Sequence, residues 1–487
     1  MKKLVLAVVD GLKPSMLERA VRAGRAPAFA RVMREGTHVP DGSVAAFPSV
    51  TPVCAASIAT GVGPDRHLIP SMNWFHRGEH RYVEYGSSFS ASRTFGVVRS
   101  LTDTIYNMNL AHLSADVETV FEMLDDADVR TAGTTYLMYR GRHRHEVARE
   151  SALARLATTT LFRHAVYGPR ELFYADIFSS RNTGCRGQLG LPGARDQHTG
   201  CVGAYLVEHD LFDFLLFSLP DNDTFSHKNG PHATVTSIAQ ADRQLERLMH
   251  AAGGADRFLA DHAVIVCADH SHAPVEKVVD LRDRFGEWDV LAPNAPAGTE
   301  AEIALCPAQR SAMVYVLDDE RRGELTVHAA SEALDLDGVD LVMYRSGEVG
   351  VVRSTVGELR FAPGGDLADL RGGTWSVEGD LATLAARVED GVLQTPEYPD
   401  ALGRMWAALG CPTAGDVLLS AGPGWEFADW GGQDHLSGGS HGSLHRSDSL
   451  GALAWCGLGP DSAAAKPLWS LQDLVPMIRE HFGLSAA

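Results

Sequence analysis

The sequence predicts an α/β protein with a mostly parallel central sheet flanked by helices. Three apolar runs, Leu4–Val9, Phe212–Leu219 and Ala263–Ala268, carry this prediction. Such runs are typical of strands that are covered on both faces, as the strands of parallel sheets are. An aspartate follows each run within a few residues. Because open parallel sheets place their ligand sites beyond the carboxyl ends of the strands, we expect a polar site at that edge.

The other elements are predicted from periodicity and from Gly and Pro punctuation. Apolar residues recur at helical spacing along residues 234–252, at Ile238, Ala241, Leu245 and Leu248. The predicted helices are Lys13–Ala28, Ala30–Glu35, Val117–Asp125, Glu146–Arg163, Val202–Glu208, Thr234–Ala252 and Leu471–Phe482. Two further strands are predicted over Thr131–Leu137 and Leu450–Cys456.

Size and charge restrict the classes of function. A chain of 487 residues is long enough for a large core with sizeable insertions. The net charge of −19 argues against a nucleic-acid polymer as partner, because its phosphates would be repelled. A small anionic substrate remains compatible with this charge where metal ions reverse the local potential. The composition does not predict an oligomeric state.

Cysteine usage and hydropathy predict a cytoplasmic protein. The seven cysteines are odd in number, scattered and without CxxC spacing, which favours reduced thiols over a disulfide framework. The apolar run at the N-terminus is only six residues long and ends at Asp10, so we interpret it as a strand and not as a signal peptide. No segment is long and apolar enough to span a bilayer, and no membrane partner is expected.

A short helix is predicted to begin at Thr51. Pro48 keeps the approach extended, Thr51 suits the N-cap, Pro52 suits the first helical position and Gly61 suits the stop. A hydroxyl in this position lies beside unpaired backbone N–H groups and the positive end of the helix dipole, where a phosphate is favoured. The stretch alone favours an ordinary threonine cap, and the site is predicted only when the other motifs of the chain are added.

Six side chains together predict a centre with two divalent metal ions. Asp223 and His227 are four residues apart and face one ion if their segment is helical. Two ions about 4 Å apart hold a phosphoryl oxygen between them, and they lower the pKa of a hydroxyl such as that of Thr51. Carboxylates and imidazoles suit Zn²⁺, with Mn²⁺ as the alternative. The six candidates are Asp10, Asp223, His227, Asp269, His270 and His441, whereas His272 is interpreted as a supporting or surface residue.

These motifs resemble the type I phosphodiesterase/nucleotide pyrophosphatase family of the alkaline phosphatase superfamily. The resemblance rests on Asp10-Gly11, Phe47-Pro48-Ser49-Val50-Thr51, Thr60-Gly61, Asp223…His227, Ala268-Asp269-His270 and Ser440-His441-Gly442. It implies an alkaline-phosphatase-like core, two zinc ions and a covalent phosphothreonine intermediate on Thr51. By the family pattern, one ion takes Asp10, Thr51, Asp269 and His270, and the other takes Asp223, His227 and His441.

The resemblance covers residues 1–75, 200–280 and 430–487, which we predict to be the catalytic core. Residues 76–199 are then a cap or insertion, and residues 281–429 are a second insertion or elaborated edge. Both insertions are expected to supply the walls of the substrate pocket. Asn73 lies near the position of a family asparagine that donates to a phosphate oxygen, although the match needs a shift of one residue.

The sequence favours one activity and leaves others open. The nucleophile is followed by Pro52, Val53 and Cys54, where the family usually has an aromatic residue, Pro and Asn, so a nucleotide substrate is not specifically predicted. The leading interpretation is a phosphodiesterase or pyrophosphatase acting on a small organic phosphate. The alternatives are a phosphomonoesterase, a phosphonate hydrolase resembling phosphonoacetate hydrolase, and a metal-binding scaffold without catalysis. A monoesterase would need extra cations, for which Arg66 and the patch at 140–145 are candidates.

Overall fold

A computed structural model describes residues 1–147, 164–187, 191–296, 298–459 and 466–484 of the chain. Its main sheet has nine described strands. The five from His262–Cys267 to Glu171–Tyr174, in the order given next, pair in parallel with their neighbours among the five. The order is Trp469–Ser470, Thr37–Val44, Leu450–Cys456, His262–Cys267, Lys3–Val9, Phe214–Leu219, Thr131–Thr134, Glu171–Tyr174 and Phe178–Ser179. The predicted mostly parallel α/β sheet is therefore confirmed.

The central strand is covered on both faces, as its apolar run predicts. Leu4, Leu6 and Val8 pack into one buried cluster, which includes the helix that follows Thr51. The alternate residues of the strand pack into a second cluster, on the other face of the sheet, with the helices Pro14–Arg22 and Val235–Ala251. This alternation follows from the two-residue period of a strand.

Helices cover both faces of this sheet, and others pack against a second large sheet, which is described below. The α-helices are Pro14–Arg22, Pro27–Glu35, Thr51–Thr60, Pro64–His67, Phe89–Phe95, Val97–Thr102, Val120–Asp126, Arg195–Glu208, Asp221–Asn229, Val235–Ala251, Ala255–Asp261, Leu281–Arg284, Arg322–Leu334, Ala401–Leu409, Arg446–Ser449 and Leu474–His481. Asp103–His112 is a π-helix, and Phe285–Glu287, Leu381–Leu384 and Leu471–Asp473 are 3₁₀-helices.

The predicted second insertion contains a sheet of its own. Its strands are Ile303–Ala308, Ser311–Val316, Val339–Ser346, Val349–Arg353, Glu358–Asp369, Thr374–Gly379, Arg387–Glu389, Val392–Gln394 and Val417–Ala421. The predicted cap at 76–199, in contrast, supplies the last three strands of the main sheet. The division of the chain into one core and two insertions stays a prediction.

Three smaller sheets complete the described strands. One consists of Gly424–Phe427, Ala273–Val279 and Gly439–Ser440, and it brings the segments before His441 and after Asp269 side by side. The other two are the hairpin Asn73–His76 with Arg81–Glu84, and the pair His143–His145 with Val166–Gly168.

Several predicted boundaries differ from the structure for local reasons. The predicted helix over 13–28 is two helices, because Gly24 adopts a left-handed conformation with φ of 65° and Pro27 opens a new helix. Val50, not Thr51, occupies the N-cap position, so Thr51 is the first helical residue. Gly61 ends that helix with φ of 73°, as predicted. The predicted helix over 146–163 lies outside the described residues from position 148 onward.

The prediction that all seven cysteines are reduced is wrong. Cys185 and Cys201 form a disulfide, whereas the other five cysteines are buried free thiols. The two partners are 16 residues apart, a spacing that carries no recognisable disulfide pattern, and the fold brings their Cα atoms to 5.9 Å. Within the described residues, no helix has the length and apolar character that crossing a membrane requires.

Candidate dinuclear metal site

The predicted ligands meet at the carboxyl edge of the main sheet. Asp10 directly follows the central strand, and Asp269 and His270 follow the neighbouring strand that ends at Cys267. Asp223 and His227 lie in the helix that begins just after the strand Phe214–Leu219. Because these three strands are parallel neighbours, their carboxyl ends bring the five side chains together.

His441 reaches the site through backbone pairing with the segment before Thr51. Ser49 donates its backbone N–H to the carbonyl of Gly442 at 3.2 Å, and its hydroxyl accepts from the Gly442 N–H at 3.1 Å. The Ser49 carbonyl in turn accepts from Nδ1 of His441 at 2.8 Å. These bonds hold a residue from the end of the chain beside the start of the Thr51 helix.

One group of candidate metal ligands surrounds Asp223. Its Oδ1 atom lies 3.2 Å from Nε2 of His227 and 3.5 Å from Nε2 of His441. Ligands at about 2.0 Å from a tetrahedral zinc ion are separated by about 3.3 Å, so these spacings fit a shared ion. His272, which we expected to be a supporting or surface residue, is buried and joins the same cluster, with Nε2 at 3.0 Å from Oδ1.

A second group of candidate metal ligands surrounds His270. Its Nε2 atom lies 3.5 Å from Oδ1 of Asp10, 3.4 Å from Oδ2 of Asp269 and 3.1 Å from the Thr51 hydroxyl. The Oδ1 atom of Asp269 accepts hydrogen bonds from the backbone N–H groups of Gly11 and His270. These two bonds turn its Oδ2 atom toward the other donors.

Three imidazoles are held in the orientation that metal binding requires. The Nδ1 atoms of His227, His270 and His441 lie 2.8, 3.1 and 2.8 Å from the carbonyl oxygens of Gly439, Ser271 and Ser49, respectively. A carbonyl only accepts, so Nδ1 of each ring carries a proton, and Nε2 is the atom that faces the cluster. Metal-ligating histidines are usually anchored in this way.

The electrostatics of the cluster fit cations. Burial raises the pKa of Asp10 well above its usual range, and the carboxylates of Asp269 and Asp223 raise it further. Burial also raises the pKa of Asp223, but His227 and His272 outweigh it and hold this pKa well below the usual range. The Oδ1 atom of Asp10 is buried without a hydrogen-bond partner among the described residues. Crowded carboxylates with an unused oxygen, next to imidazoles, match the donor preferences of Zn²⁺ and Mn²⁺.

A cavity of about 490 Å³ opens onto this cluster. Thr51 lines it together with Asp10, Asp223 and Asp269, so the hydroxyl is accessible to a ligand. Most of the opposite wall is apolar or aromatic and comes from the predicted cap, as expected: Tyr85, Leu101, Ile105, Tyr136, Leu137, Tyr174 and Ile177. None of the described residues that line it comes from 281–429, where a second wall was expected.

Arg195 is a site residue that the sequence analysis missed. It lines the cavity at the start of the helix Arg195–Glu208, and its Nε atom donates to Asp221 Oδ1 at 2.9 Å. Its Nη2 atom donates to the Thr224 hydroxyl at 2.6 Å. The helix pattern alone gives an arginine in this position no special weight, because its partners are 26 and 29 residues away in the sequence.

Asn73 lies beside the cavity wall without lining it. Its Nδ2 atom donates to the carbonyl of Val83 at 3.1 Å in the hairpin, whereas the preceding residue, Met72, lines the cavity. The proposed contact of Asn73 with a phosphate oxygen therefore stays a prediction. Of the candidate cations, Arg140 is bound to Glu122 and to nearby carbonyls, and neither Arg66 nor any residue of the patch at 140–145 is among the described lining residues.

The fold and this donor set define the chain as a metal-dependent phosphoric ester hydrolase. It belongs to the family described as type I phosphodiesterase / nucleotide pyrophosphatase, whose model matches residues 4–444. The resemblance seen in the sequence is thereby confirmed. A comparison with curated proteins finds no match.

Solved structures share the alkaline-phosphatase-like fold over nearly the whole chain. Phosphonoacetate hydrolase from Sinorhizobium meliloti 1021, in complex with phosphonoformate, is 17% identical, with a TM-score of 0.54 over 97% of this chain and 94% of that one. Murine ectonucleotide pyrophosphatase / phosphodiesterase 5 is 12% identical, with a TM-score of 0.60 over 100% of this chain and 96% of that one. Its inactive threonine-to-alanine variant, in complex with AMP, is also similar, with a TM-score of 0.59.

Proposed function

We propose that the protein hydrolyses a small phosphodiester with Thr51 as nucleophile and two divalent ions, most simply Zn²⁺, in the cluster described above. The observation that carries this proposal is the position of the Thr51 hydroxyl. It lines the cavity and lies 3.1 Å from Nε2 of His270, so it faces both the substrate space and the ligand cluster. One ion would take Asp10, Thr51, Asp269 and His270, and the other Asp223, His227 and His441.

The reaction we propose is a double displacement. Two bound ions would favour the ionised threonine hydroxyl and neutralise the phosphoryl oxygens. The Thr51 oxygen forms a bond to phosphorus while the bond to the leaving alcohol or nucleotide oxygen breaks, and the leaving group takes up a proton. Water then attacks the phosphothreonine, which restores the hydroxyl and releases the remaining phosphate ester.

The charge of the cavity favours a diester over a monoester. A diester carries one negative charge at neutral pH, and a monoester carries up to two. Arg195 is the one cationic residue among the described lining residues, and Asp221 already neutralises much of its charge. The apolar and aromatic wall suits the organic group of an ester better than a second ionised oxygen.

The structural relatives support two chemistries. The complex of murine ectonucleotide pyrophosphatase / phosphodiesterase 5 with AMP, in a variant inactivated at a threonine, supports both the nucleophile and a phosphate ester ligand. The complexes of phosphonoacetate hydrolase with phosphonoformate and phosphonoacetate support a phosphonate as the second candidate substrate. Small anionic phosphorus compounds are common to both.

The test compares substrates and two threonine variants. We expect the zinc-loaded protein to hydrolyse bis-p-nitrophenyl phosphate faster than p-nitrophenyl phosphate or phosphonoacetate. Thr51→Ala should lower kcat by at least about 10³-fold, because it removes the attacking atom, while zinc content stays near wild type. Thr60→Ala is the matched control, since this hydroxyl of the same helix bonds only to the Ala56 carbonyl within the described residues.

Each alternative has its own outcome in this assay. Faster release of phosphate from phosphonoacetate supports the phosphonate hydrolase, and a preference for the monoester supports a phosphatase. Zinc-loaded protein that turns over none of the three supports the scaffold. Thr51→Ala with wild-type turnover contradicts the nucleophile.

The cytoplasmic location expected from the cysteine pattern stays a prediction. The Cys185–Cys201 disulfide weighs against it, since disulfides are rare in that compartment.

A further inference from the structure

His272 is a fourth imidazole in the cluster, and the family pattern gives it no role. Its side chain is 1% exposed, and its ring centroid lies 4.7 Å from that of His227 and 5.0 Å from that of His441. Gly11 makes room for it: this glycine has φ of 65°, and a Cβ atom there would lie 2.7 Å from Nε2 of His272. The backbone beside Asp10 is thus shaped around this ring.

The ring nitrogens of His272 differ in their contacts from those of the other three histidines. Its Nδ1 atom is buried without a hydrogen-bond partner among the described residues, whereas Nδ1 in each of the others is anchored on a carbonyl. Its Nε2 atom lies 3.0 Å from Oδ1 of Asp223, which is a hydrogen-bond distance and shorter than the other two Nε2 distances to that oxygen.

These contacts determine where the proton of His272 resides. A carboxylate only accepts, so a hydrogen bond to Asp223 places the proton on Nε2 and leaves Nδ1 as an unpaired acceptor. If Nε2 bound the ion instead, the proton would move to Nδ1 and become a buried donor without a partner. In the protein backbone, a buried N–H group without a hydrogen-bond partner is rarer than a buried carbonyl with an unused lone pair. The donor role is therefore the favoured one.

We propose that His272 is a positioning residue, which donates Nε2–H to Oδ1 of Asp223 and so orients this carboxylate for the ion shared with His227 and His441. The proposal rests on the metal site of the proposed function. One lone pair of Oδ1 accepts from His272, and the other remains for the ion. Loss of such a supporting bond typically lowers metal affinity by about 10- to 100-fold.

The experiment compares three replacements in the full-length protein. We measure zinc affinity by chelator competition and the visible absorption of the Co²⁺-loaded protein. His272→Leu should weaken one of the two sites by about 10- to 100-fold. His272→Gln should restore most of the affinity with an unchanged Co²⁺ spectrum, because its amide N–H can reach the same oxygen. His272→Asn is too short to do so, and it replaces the leucine variant if that one does not fold.

His262 provides the matched control. It is also a buried histidine, it bonds to the Phe258 carbonyl, and it begins the strand whose other end leads to Asp269. His262→Leu and His262→Gln therefore report the general cost of losing a buried imidazole, and zinc affinity should not change in either. The melting temperatures of the metal-free variants show whether each one folds.

Two results would overturn the proposal. Wild-type affinity in folded His272→Leu or His272→Asn would show that the bond does no positioning. Equal loss in His272→Gln and His272→Leu, with a changed Co²⁺ spectrum, would make His272 a ligand. The proposed function fails separately, if wild-type protein binds two ions but hydrolyses no diester. A wild-type protein that binds no divalent ion contradicts both.

Discussion

At the scale of single residues, the site depends on which atoms are already bonded. In three imidazoles Nδ1 is hydrogen-bonded to a backbone carbonyl, which leaves Nε2 facing the cluster. In Asp269, Oδ1 accepts from two backbone N–H groups, which leaves Oδ2 facing the cluster. The sequence identifies such side chains by type and spacing. It does not identify their hydrogen bonds, which come from segments up to 392 residues away.

Arg195 provides the first prediction at this scale. The guanidinium lines the cavity next to the ligand cluster, and a charged hydrogen bond to a phosphate oxygen is worth about 1.5–3 kcal/mol. We therefore expect Arg195→Met to lower kcat/KM for bis-p-nitrophenyl phosphate by about 10- to 100-fold. Zinc content should stay near wild type, because Arg195 is not in the donor set.

Arg195→Lys is the control for this prediction. It keeps the positive charge beside Asp221 and should lose less activity than the methionine variant. Steady-state kinetics on both proteins, with melting temperatures to confirm folding, make the comparison. An unchanged kcat/KM in folded, zinc-loaded Arg195→Met would remove Arg195 from the substrate site.

At the scale of elements, two helices that flank the site cap each other. The Asp196 N–H donates to Asp221 Oδ2 at 3.0 Å, and the Asp221 N–H donates to Asp196 Oδ1 at 3.0 Å. This exchange joins the start of the helix Arg195–Glu208 to the start of Asp221–Asn229, which carries two of the proposed ligands. Burial, and after it the nearby carboxylate of Asp221, raises the pKa of Asp196 to about 7.

This pKa predicts how stability depends on pH. The folded protein holds a proton on Asp196 that the unfolded chain releases near pH 4. This proton's contribution to stability is therefore complete below about pH 4, and it is lost as the pH rises through about 7. Asp196→Asn removes the ionisation and keeps the acceptor for Asp221. The amide nitrogen of the asparagine would take the place of Oδ2, which has no hydrogen-bond partner among the described residues. The replacement therefore breaks no hydrogen bond that Oδ2 makes there.

We therefore expect Asp196→Asn to gain stability relative to wild type as the pH rises from about 4 to 8, by up to about 4 kcal/mol. Denaturant unfolding of the metal-free proteins across this range measures the difference. A constant difference between Asp196→Asn and wild type across this range would contradict the raised pKa.

Elements with one dominant pattern were predictable, and those that depend on partners were not. Leu450–Cys456 has the predicted bounds, and the helix Val235–Ala251 differs by one residue at each end. The strand Thr131–Thr134 ends three residues before the predicted Leu137, because Thr135 adopts a left-handed conformation with φ of 45°. The Cys185–Cys201 disulfide depends on tertiary contact and left no sequence signal.

At the scale of the whole molecule, parallel pairing explains why separated motifs form one site. Three neighbouring strands deliver Asp10, the Asp223 helix and Asp269 to one edge, and the pairing of Ser49 with Gly442 adds His441. The sequence predicted this convergence because each motif follows an apolar run or a turn. It did not predict that the strands of the cap extend the main sheet, since short strands carry no sign of which sheet they join.

The identity of the substrate is the least predictable property at this scale. The cavity wall is assembled from residues near positions 72–105, 135–137 and 174–177, which share no motif. Only the fold shows that they face Thr51. The aromatic and apolar character of that wall favours a diester with an organic substituent, and so does the presence of only one arginine, Arg195, among the described lining residues.

The central claim is that the hydroxyl of Thr51 attacks phosphorus inside a site with two metal ions. The most direct measurement is mass spectrometry of zinc-loaded protein that is acid-quenched during turnover of bis-p-nitrophenyl phosphate. The account predicts a nitrophenyl phosphoryl group on the peptide that contains Thr51, and none in Thr51→Ala. Rapid turnover with no adduct on wild type, together with full activity in Thr51→Ala, would contradict it.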